Sequence, residues 1–584
     1  MVKKLVDFTK IMSVFSLYFF IAAVLKETSF WSGYYASRSQ LKADIRGNAS
    51  LLSTCNILQT TGMISSKATT SLKTVIALTQ HHDAITGTEK QHVVDDYNRR
   101  LKLAEDKCRN EIASATENND KITIINPLPF DRSEMMNAEM VDIPGFGWVV
   151  TEKFESFKHE KNDIESDSAN NFVLQNEEIG VTFSIDSFVT KVALTNKTTN
   201  SKFLTFEHTW KYFLADPGCD YPCIDSGNGT GLSQPSGAYV MRPLDNIDYS
   251  SENNGAIISS DGNSIDVNQD YINYSWRLNG DKVFLDYEIG ELPIFSDNST
   301  GREVFSRFEV IEISDKNLNN IKSIWSTDTN SIGRIERSRE NTRPMDPIAS
   351  RYFPMTSETL LDFAGDSFSV SSTRAAGVTS LESSQLDVML HRRTLKDDWK
   401  GLNQPMDDKS SVSGSLQIGI EGSKNKNVVA TKKLHNPVLV VDGELTIFEN
   451  IKTGLSGLIE PFCENGSCSL FKKSRDASNF FENDSEDCFI LSLEVDTYDE
   501  NILFIQFEQK GNNQCVYKKF VETFEDTFQL LKDIKSVRQV NVGGTSYFCE
   551  NDESCYLDGK VFDGKVHDRP TPHNIVTVKI EFYE

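Results

Sequence analysis

The sequence predicts an α+β fold that is mostly β: a small three-helix bundle followed by two or three packed antiparallel β-sandwich domains. Apolar residues recur at helical spacing between about Ser39 and Cys108. Beyond Lys121 the apolar period changes to two, in short segments separated by Gly, Asn, Asp and Ser. Because a chain of 584 residues exceeds one hydrophobic core, we expect about three or four domains.

Domain boundaries are predicted where these patterns change. The predicted divisions are a signal-like apolar segment or non-native start at 1–29, the helical bundle at 30–115, a first large β domain at 120–345, a continuation of the β-sandwich at 346–450 and a C-terminal β-sandwich at 451–584.

Three amphipathic helices account for the apolar spacing of the bundle. The third is predicted to begin after residues 86–89, because Thr86 and Glu89 have the spacing of a capping box. Cys55 on the first helix and Cys108 on the third both fall on core faces. A disulfide between these two helices is therefore predicted.

The β region begins at residues 122–130 and ends with the clearest strand of the sequence, residues 576–582, in which apolar and polar residues alternate. One segment of the β region departs from this alternating pattern. Residues 521–535 carry Phe524, Phe528, Leu531 and Ile534 at helical spacing, so we expect an isolated helix that covers one sheet.

Charge and composition exclude several classes of protein. The chain has 60 Lys and Arg against 85 Asp and Glu, a formal net charge of −25. A negative surface repels phosphate backbones and anionic lipid, so we do not expect nucleic-acid binding. With 33 Gly, 16 Pro and no low-complexity run, the chain is neither collagen-like nor extensively disordered.

The first 29 residues resemble a secretory signal. Lys3, Lys4 and Lys10 precede an apolar run at residues 11–25. That run has the length of a signal-peptide core and is short for a membrane span, which needs about 20 residues. A short membrane anchor and an accidental upstream reading frame are the alternatives.

Glycosylation sequons and cysteines also favour the secretory pathway. The ten cysteines are an even number, and the Cys219/Cys223 and Cys463/Cys468 spacings are not those of a zinc knuckle, so an oxidised framework is expected. Asn48 has a sequon but falls on an apolar helix face. The predicted glycosylation sites are Asn196, Asn228, Asn273, Asn298, Asn465 and Asn483.

The densest cluster of reactive side chains is Gln80-His81-His82-Asp83, followed by a Thr-Gly-Thr turn. The cluster is predicted to lie at the end of the second helix, where successive residues point about 100° apart. At most one histidine could then face a metal, and His82 lies closer to the predicted buried stripe. A solvated helix terminus with no metal is the alternative, and spacing alone favours it.

Seven segments, in order, resemble one family. The chain is similar to the middle and C-terminal portions of class II α-mannosidases, glycoside hydrolase family 38, and most of all to the lysosomal acid type. The similarity is strong to Pro405 and fainter after it. The segments are FWSGYYASRSQLK (30–42), TQHHDAITGTEKQHVVDDYNRRL (79–101), INPLPF (125–130), SGAYVMRP (236–243), WSTDTN (325–330), RYFPM (351–355) and LDVMLHRRTLKDDWKGLNQP (386–405).

The resemblance implies a chemistry and a set of site residues. Members of this family hydrolyse α-linked mannose with retention, using zinc to hold sugar hydroxyls and two carboxyl groups for the chemistry. His82 matches the zinc ligand of the helical domain, and Asp83 matches a substrate-contacting carboxylate. Tyr239 and the pair Arg392 and Arg393 match positions that approach the sugar from the β domains.

The resemblance also implies that the family's catalytic domain, with the nucleophile, the acid/base and the remaining zinc ligands, precedes the segment at Phe30. No catalytic residue is expected in this chain. We expect a secretory, lysosomal or extracellular α-mannosidase acting on mannose-containing N-glycans, represented by a truncated chain whose partner is that missing domain.

The sequence also permits other interpretations of the function. The chain could be a secreted, inactive carbohydrate-binding or structural glycoprotein, and self-association is also left open. A metal-binding module using His82 with the distant His208, His391 or His435 is a third hypothesis, although no spacing supports that grouping.

Overall fold

A computed structural model describes residues 30–582 with gaps, and the following account concerns the described residues. The gaps lie at residues 137–138, 155–170, 186–188, 200–201, 219–233, 251–256, 261–263, 270, 315, 319–320, 330–332, 341–345, 422–430, 446–458, 471–487, 496–501, 510–528, 531–533 and 541–574. The predicted signal-like segment, Asn228, Asn483 and the pair Cys219/Cys223 therefore lie outside the described residues.

The helical bundle has the three predicted helices. They are α1 (Ser39–Thr60), α2 (Ser66–Thr79) and α3 (Gln91–Ser114), preceded by a 3₁₀ turn at Gly33–Tyr35. Each helix buries an apolar stripe in one shared cluster, which includes Leu41 and Ile45 of α1, Leu72 of α2 and Leu101 of α3. This burial stabilises helices whose isolated propensity would be marginal.

The rest of the described chain is mostly strand, as predicted. The strands are β1 (Thr116–Asn126), β2 (Arg132–Met136), β3 (Glu139–Ile143), β4 (Gly147–Glu152), β5 (Asn171–Gln175), β6 (Ile179–Ile185), β7 (Thr190–Asn196), β8 (Lys202–Ala215), β9 (Pro243–Ser250), β10 (Ile257–Ser260), β11 (Ser264–Asn268), β12 (Ile272–Asn279), β13 (Lys282–Ile289), β14 (Gly301–Ile313), β15 (Lys316–Asn317) and β16 (Ile324–Thr329). They continue as β17 (Gly333–Glu336), β18 (Phe353–Met355), β19 (Glu358–Phe363), β20 (Asp366–Ser372), β21 (Ala376–Thr379), β22 (Gln385–Arg393), β23 (Val412–Glu421), β24 (Leu439–Leu445), β25 (Ile459–Glu460), β26 (Phe462–Glu464), β27 (Ser467–Ser469), β28 (Cys488–Val495), β29 (Ile502–Gln509), β30 (Gln529–Leu530), β31 (Ile534–Val540) and β32 (Ile575–Phe582).

Two large antiparallel sheets form the main sandwich. One has the strand order β10-β11-β12-β13-β23-β20-β19-β16-β17, and the other has the order β18-β21-β22-β14-β8-β7-β6-β5, with β15 beside β14 and β9 beside β8. Both contribute to one buried cluster, for example Trp276 and Leu416 from the first sheet and Phe206 and Phe308 from the second. Strands from both sides of residue 345 therefore share the same sheets and core.

Smaller sheets flank this sandwich. Strands β24-β1-β4-β27-β26 form a five-stranded sheet, and residues of β1, β4, β24 and β27 pack against the core of the helical bundle. The C-terminal sheet has the order β28-β29-β32-β31, and β2-β3 and β25-β30 form two-stranded pairs. The helical bundle and this five-stranded sheet thus share one hydrophobic core.

The C-terminal region confirms one prediction and corrects another. Strand β32 coincides with the predicted strand, and its alternating Ile580 and Phe582 are buried. The isolated helix predicted at 521–535 is wrong where the structure describes it, since Gln529–Leu530 and Ile534–Val540 are strands. Pairing of β31 with β32 prevails over the helical spacing of four apolar residues.

Four of the predicted glycosylation sites lie among the described residues. Asn273, Asn298 and Asn465 are exposed and Asn196 is half-buried at the end of β7, whereas Asn48 is buried in α1. Glycosylation at the first four stays a prediction. Within the described part of the chain, no helix combines the length and the apolar character needed to cross a membrane.

Two disulfides are present among the described residues. Cys55 of α1 is bonded to Cys108 of α3, the bridge that the helical spacing predicts, across a sequence separation of 53. Cys463 and Cys468 close a much shorter loop, with a separation of 5, between β26 and β27. The longer loop removes more conformations from the unfolded chain.

Loss of the Cys55–Cys108 bridge should lower the free energy of unfolding by about 4 kcal/mol, the loop-entropy value for a separation of 53. The matched control is the double Ser variant of Cys463 and Cys468, for which the same relation gives about 2 kcal/mol. Urea unfolding of both double Ser variants measures the difference. A larger loss for the shorter loop would contradict this account of the bundle.

Candidate functional site

The turn that carries the two histidines begins where α2 ends, at Thr79. Residues 80–87, called here the histidine turn, form hydrogen-bonded turns. The amides of Ala84 and Ile85 both donate to the carbonyl of His81. Because the helix does not continue, the prediction that His81 and His82 cannot face one metal is wrong. The prediction that His82 lies closer to the buried side is also wrong, since its side chain is 83% exposed against 48% for His81.

His81, His82 and Asp83 form a compact set of metal-type ligands. Their ligand atoms all lie within 4.8 Å of one another. Oδ2 of Asp83 is 3.5 Å from Nε2 of His81 and 3.8 Å from Nε2 of His82. Two ligands of a tetrahedral zinc ion are separated by about 3.3 Å, so this donor set fits zinc with small side-chain adjustments.

The other carboxylate oxygen of Asp83 is held by hydroxyl groups. Oδ1 accepts hydrogen bonds from Thr88 Oγ1 at 3.0 Å and from the phenol of Tyr239 at 3.1 Å. Thr86 Oγ1 contacts Thr88 Oγ1 and donates to the carbonyl of His82. The two oxygens of Asp83 are therefore turned in different directions, one toward the imidazoles and one toward Tyr239.

The predicted capping box is absent, because α3 begins at Gln91 with Lys90 as its N-cap and no side chain caps it. Thr86 is used within the histidine turn, and Glu89 is buried. Gly87 makes this arrangement possible. Its φ is +73°, and a Cβ there would lie 2.4 Å from the carbonyl oxygen of Ser37.

Tyr239 reaches Asp83 from a loop of the β region, residues 234–242, called here the Tyr239 loop. Its amide and that of Val240 both donate to Oδ2 of Asp398, at 2.7 and 2.8 Å. Its carbonyl accepts from the amide of Gly33 at 3.1 Å. Burial raises the pKa of Tyr239, and the Asp83 carboxylate adds to this, so the phenol remains a donor toward Asp83.

Arg392 lies behind this loop and is 1% exposed. Its guanidinium donates to Ser37 Oγ at 2.7 Å, to the carbonyl of Val240 at 2.9 Å and to Glu303 Oε1, a carboxylate that is fully buried. These bonds join the start of the helical bundle to the Tyr239 loop. Arg392 thus supports the position of Tyr239 from the interior.

Arg393 points to a different part of the molecule. It is 5% exposed, forms an ion pair with Asp407 at 2.6 Å and donates to the carbonyl of Leu292. The structure brings His82, Asp83 and Tyr239 together and places Arg393 among other partners. A sugar contact for either arginine stays a prediction.

Trp31 belongs to the same surface and was missed by the sequence reasoning. Its ring is 47% exposed and contacts the ring of Tyr239 edge-on, with centroids 5.4 Å apart. The Lys400 ammonium lies 5.2 Å from its ring centroid. The only sequence signal was its place in the FWSGY segment, because isolated exposed aromatic residues are common.

Three charged side chains are buried beneath the histidine turn. Glu89, Lys42 and Arg38 are 6%, 5% and 3% exposed. Burial raises the pKa of Glu89 to about 7 and lowers that of Lys42 to about 7. The Lys42 ammonium donates to the carbonyls of Ser37 and Ile85, and so fastens the histidine turn to α1.

The distant histidines do not join His82. Among the described residues, the metal-type grouping consists of His81, His82 and Asp83. Burial lowers the pKa of His208 and His435 to about 3 and that of His391 to about 4, so all three are neutral core residues at physiological pH. The hypothesis that groups them with His82 is wrong.

Replacing Arg392 with Lys should destabilise the protein by about 3 kcal/mol, because the ammonium keeps the charge beside buried Glu303 but cannot make the forked set of bonds. Arg277→Lys is the control, since the Arg277–Asp286 pair is 37% and 32% exposed and should change stability by about 1 kcal/mol or less. Denaturant unfolding measures both. Equal losses would contradict the role given to Arg392.

The buried carboxyl of Glu89 predicts a pH dependence of stability. Its folded pKa of about 7 lies above its ordinary value of 4.5, so the folded state keeps a proton that the unfolded state releases. The free energy of unfolding should fall by up to about 3 kcal/mol as pH rises from 4.5 to 7.

Glu89→Gln should remove this fall, while Glu288→Gln, which removes an exposed carboxyl, should keep the wild-type slope. Unfolding measured at several pH values across this window gives the slopes. A wild-type slope in Glu89→Gln would show that another group titrates.

The helical bundle and the sandwich beside it have a fold that is also found in solved structures. Two solved structures from Enterococcus faecalis, titled an alpha-mannosidase and a protein in glycosyl hydrolase family 38, each superpose with a TM-score of 0.54 at 9% and 10% identity. The superpositions cover 82% and 95% of this chain and 63% and 71% of those chains. At such identities the likeness concerns the fold.

Sequence comparison shows similarity to alpha-mannosidases. The alpha-mannosidase middle domain matches residues 29–118. Lysosomal alpha-mannosidases of Dictyostelium discoideum and Bos taurus are each 25% identical, over 66% and 65% of this chain and 47% and 44% of their own lengths. The chain is therefore similar to lysosomal alpha-mannosidases over about two thirds of its length and contains a region like their middle domain, and it spans about half the length of these curated relatives.

Proposed function

We propose that this chain forms the middle and C-terminal part of a zinc-dependent, retaining α-mannosidase that removes α-linked mannose from N-glycans. The observation that carries the proposal is the contact between Tyr239 and Asp83, which joins a loop of the β region to the histidine turn of the bundle. The family resemblance implies His82, Asp83 and Tyr239 as site residues. These three lie together, although 157 positions separate His82 from Tyr239 in the sequence.

In this proposal His82 is a zinc ligand. Its imidazole is exposed and so is accessible to an ion held jointly with ligands from the family's catalytic domain. His81 and the facing oxygen of Asp83 lie close enough to assist it. Zinc, when bound, would act as a Lewis acid toward sugar hydroxyls.

Asp83 and Tyr239 would orient the sugar. A carboxylate fixed by two hydroxyl donors has a defined direction and can accept a hydrogen bond from a sugar hydroxyl. The exposed ring of Trp31 beside Tyr239 offers an apolar face for the C–H side of a pyranose. These groups bind and position the sugar, while the proposed nucleophile and acid/base belong to the family's catalytic domain.

The proposed location is the secretory pathway, with the lysosome or the extracellular space as the destination. The disulfides support an oxidising compartment. Exposed sequons at Asn273, Asn298 and Asn465 support passage through a compartment where N-glycans are attached.

Zinc binding by the purified 584-residue chain tests the proposal without requiring turnover. We expect one zinc ion per chain by calorimetry, with His82→Ala weakening binding at least about tenfold because a nitrogen ligand is lost. His92→Ala is the matched control. It removes another exposed histidine, on the first turn of α3, and should leave zinc affinity unchanged.

Two further results would count against the proposal. Zinc affinity unaltered by His82→Ala would remove His82 from the metal site. An active protein that carries this chain should release mannose from a high-mannose glycan and lose that activity in EDTA, so EDTA-insensitive release would contradict zinc dependence.

A further inference from the structure

A cleft of about 500 Å³ lies at one end of the main sandwich. Its lining residues come from the β5–β6 and β12–β13 turns, from the ends of β7 and β23 and from the start of β8. The two turns belong to different sheets and are joined by the side-chain amide of Asn176, which donates to the carbonyl of Gly280 at 2.8 Å. The volume is within the roughly 300–1,000 Å³ typical of small-molecule sites, so the cleft is large enough for a sugar ring.

The floor of the cleft is apolar. Phe203 and Ile420 line it, and both are partly buried side chains that pack against the core shared by the two large sheets. Apolar area that stays in contact with water at this end of the core costs about 25 cal/mol per Å². A group with an apolar face that lies on these two side chains removes that area from water and so stabilises the end of the sandwich.

The walls of the cleft carry hydrogen-bond acceptors. They include the carboxylates of Glu177, Glu178 and Asp281, and Lys282 offsets part of this charge from 3.4 Å beyond Asp281. Within the described part of the chain, the residues close enough to share a metal ion are those of the histidine turn, so these three carboxylates do not form a metal site. They repel anions and can only accept hydrogen bonds, which favours a neutral ligand rich in O–H and N–H donors.

The sequence places an attachment point for such a ligand in the lining of the cleft. Asn196, at the end of β7, lines the cleft and begins the sequon that ends at Thr198. Its Oδ1 accepts hydrogen bonds from the amides of Thr198 and Thr199, at 2.9 and 3.0 Å. Because the oxygen and nitrogen of a side-chain amide lie on opposite sides of it, Nδ2 is turned away from these two amides. An N-glycan is attached to this nitrogen, so its first sugar begins at the cleft.

We propose that the cleft binds the first N-acetylglucosamine residue of an N-glycan carried by Asn196 of the same chain. The C–H face of the sugar lies on Phe203 and Ile420, and its hydroxyl and acetamide N–H groups donate to the carboxylates of the walls. Covalent attachment gives the sugar an effective concentration on the order of millimolar or higher, so weak contacts are sufficient to hold it.

This inference rests on the proposed secretory location, where the attachment reaction takes place. Attachment replaces one N–H of Asn196 Nδ2 with a bond from nitrogen to C1 of the sugar. A lipid-linked oligosaccharide diphosphate supplies the sugar, and the C1–O bond to the diphosphate breaks. The lipid diphosphate leaves with the electron pair of that bond, and the displaced proton is released.

Native-state deglycosylation of the full chain, secreted from a eukaryotic host, tests the proposal. A peptide N-glycosidase should release the Asn196 glycan at least about tenfold more slowly than the Asn298 glycan, because the enzyme reaches the bond only after the sugar leaves the cleft. Asn298 is the matched control, since it is exposed in the loop before β14 and does not line the cleft. Mass spectrometry of the peptides measures both rates, and after denaturation of the protein they should be equal.

A variant that fills the cleft links this protection to the proposed contacts. Thr199→Trp adds a large side chain at an exposed lining position and leaves the sequon intact, so the native release rate at Asn196 should rise to that at Asn298. Lys191→Trp, exposed on β7 and outside the cleft, should leave the rate at Asn196 low.

The outcomes separate this proposal from the proposed location. Equal native release rates at Asn196 and Asn298, an unmodified Asn196 beside a glycosylated Asn298, or protection that persists in Thr199→Trp would overturn the proposal and leave the secretory location intact. A secreted or cellular chain with no glycan at any sequon would contradict the proposed location as well.

Discussion

The buried ion pair between Arg392 and Glu303 is the interaction on which the arrangement of the candidate site depends. Removing either partner of a buried ion pair leaves an uncompensated charge in the interior, which is strongly destabilising. Here the guanidinium uses the hydroxyl of Ser37 and the carbonyl of Val240. One buried charge thus fixes the start of the bundle, a β strand and the Tyr239 loop relative to each other.

The Arg392–Glu303 ion pair requires that the backbone of Gly33 lie close to the guanidinium. A Cβ on Gly33 would lie 2.5 Å from the Arg392 guanidinium, and the amide of Gly33 bonds to the carbonyl of Tyr239. The 3₁₀ turn at Gly33–Tyr35 therefore packs on the arginine that supports the loop across from it. The same contact places Trp31, two residues before Gly33, edge-on against the Tyr239 ring.

Much of the fold could be predicted from the sequence because its signals are periodic. The three helices follow the spacing of Leu41, Leu72, Leu101 and their neighbours, and each spacing corresponds to a real buried stripe. The period-two alternation at Ile580 and Phe582 likewise marks a half-buried strand. The segment near Ile534 failed because a short apolar run fits either period, and pairing with a distant strand decides it.

The candidate site was less predictable for a different reason. Its histidines were placed on a continuing helix, but α2 ends at Thr79, and a turn has no 100° periodicity. An adjacent arginine pair usually lies at the surface, and nothing local indicates that Arg392 would be buried on Glu303.

In the proposed function, the histidine turn and the Tyr239 loop together form one zinc and sugar site. A crystal of the chain soaked with zinc and methyl α-mannoside, with diffraction recorded at the zinc absorption edge, tests it most directly. We expect an anomalous peak about 2.0–2.1 Å from an imidazole nitrogen of His82, with sugar density touching Asp83 and Tyr239. Zinc bound elsewhere, with the turn empty and no sugar at Tyr239, would contradict the account.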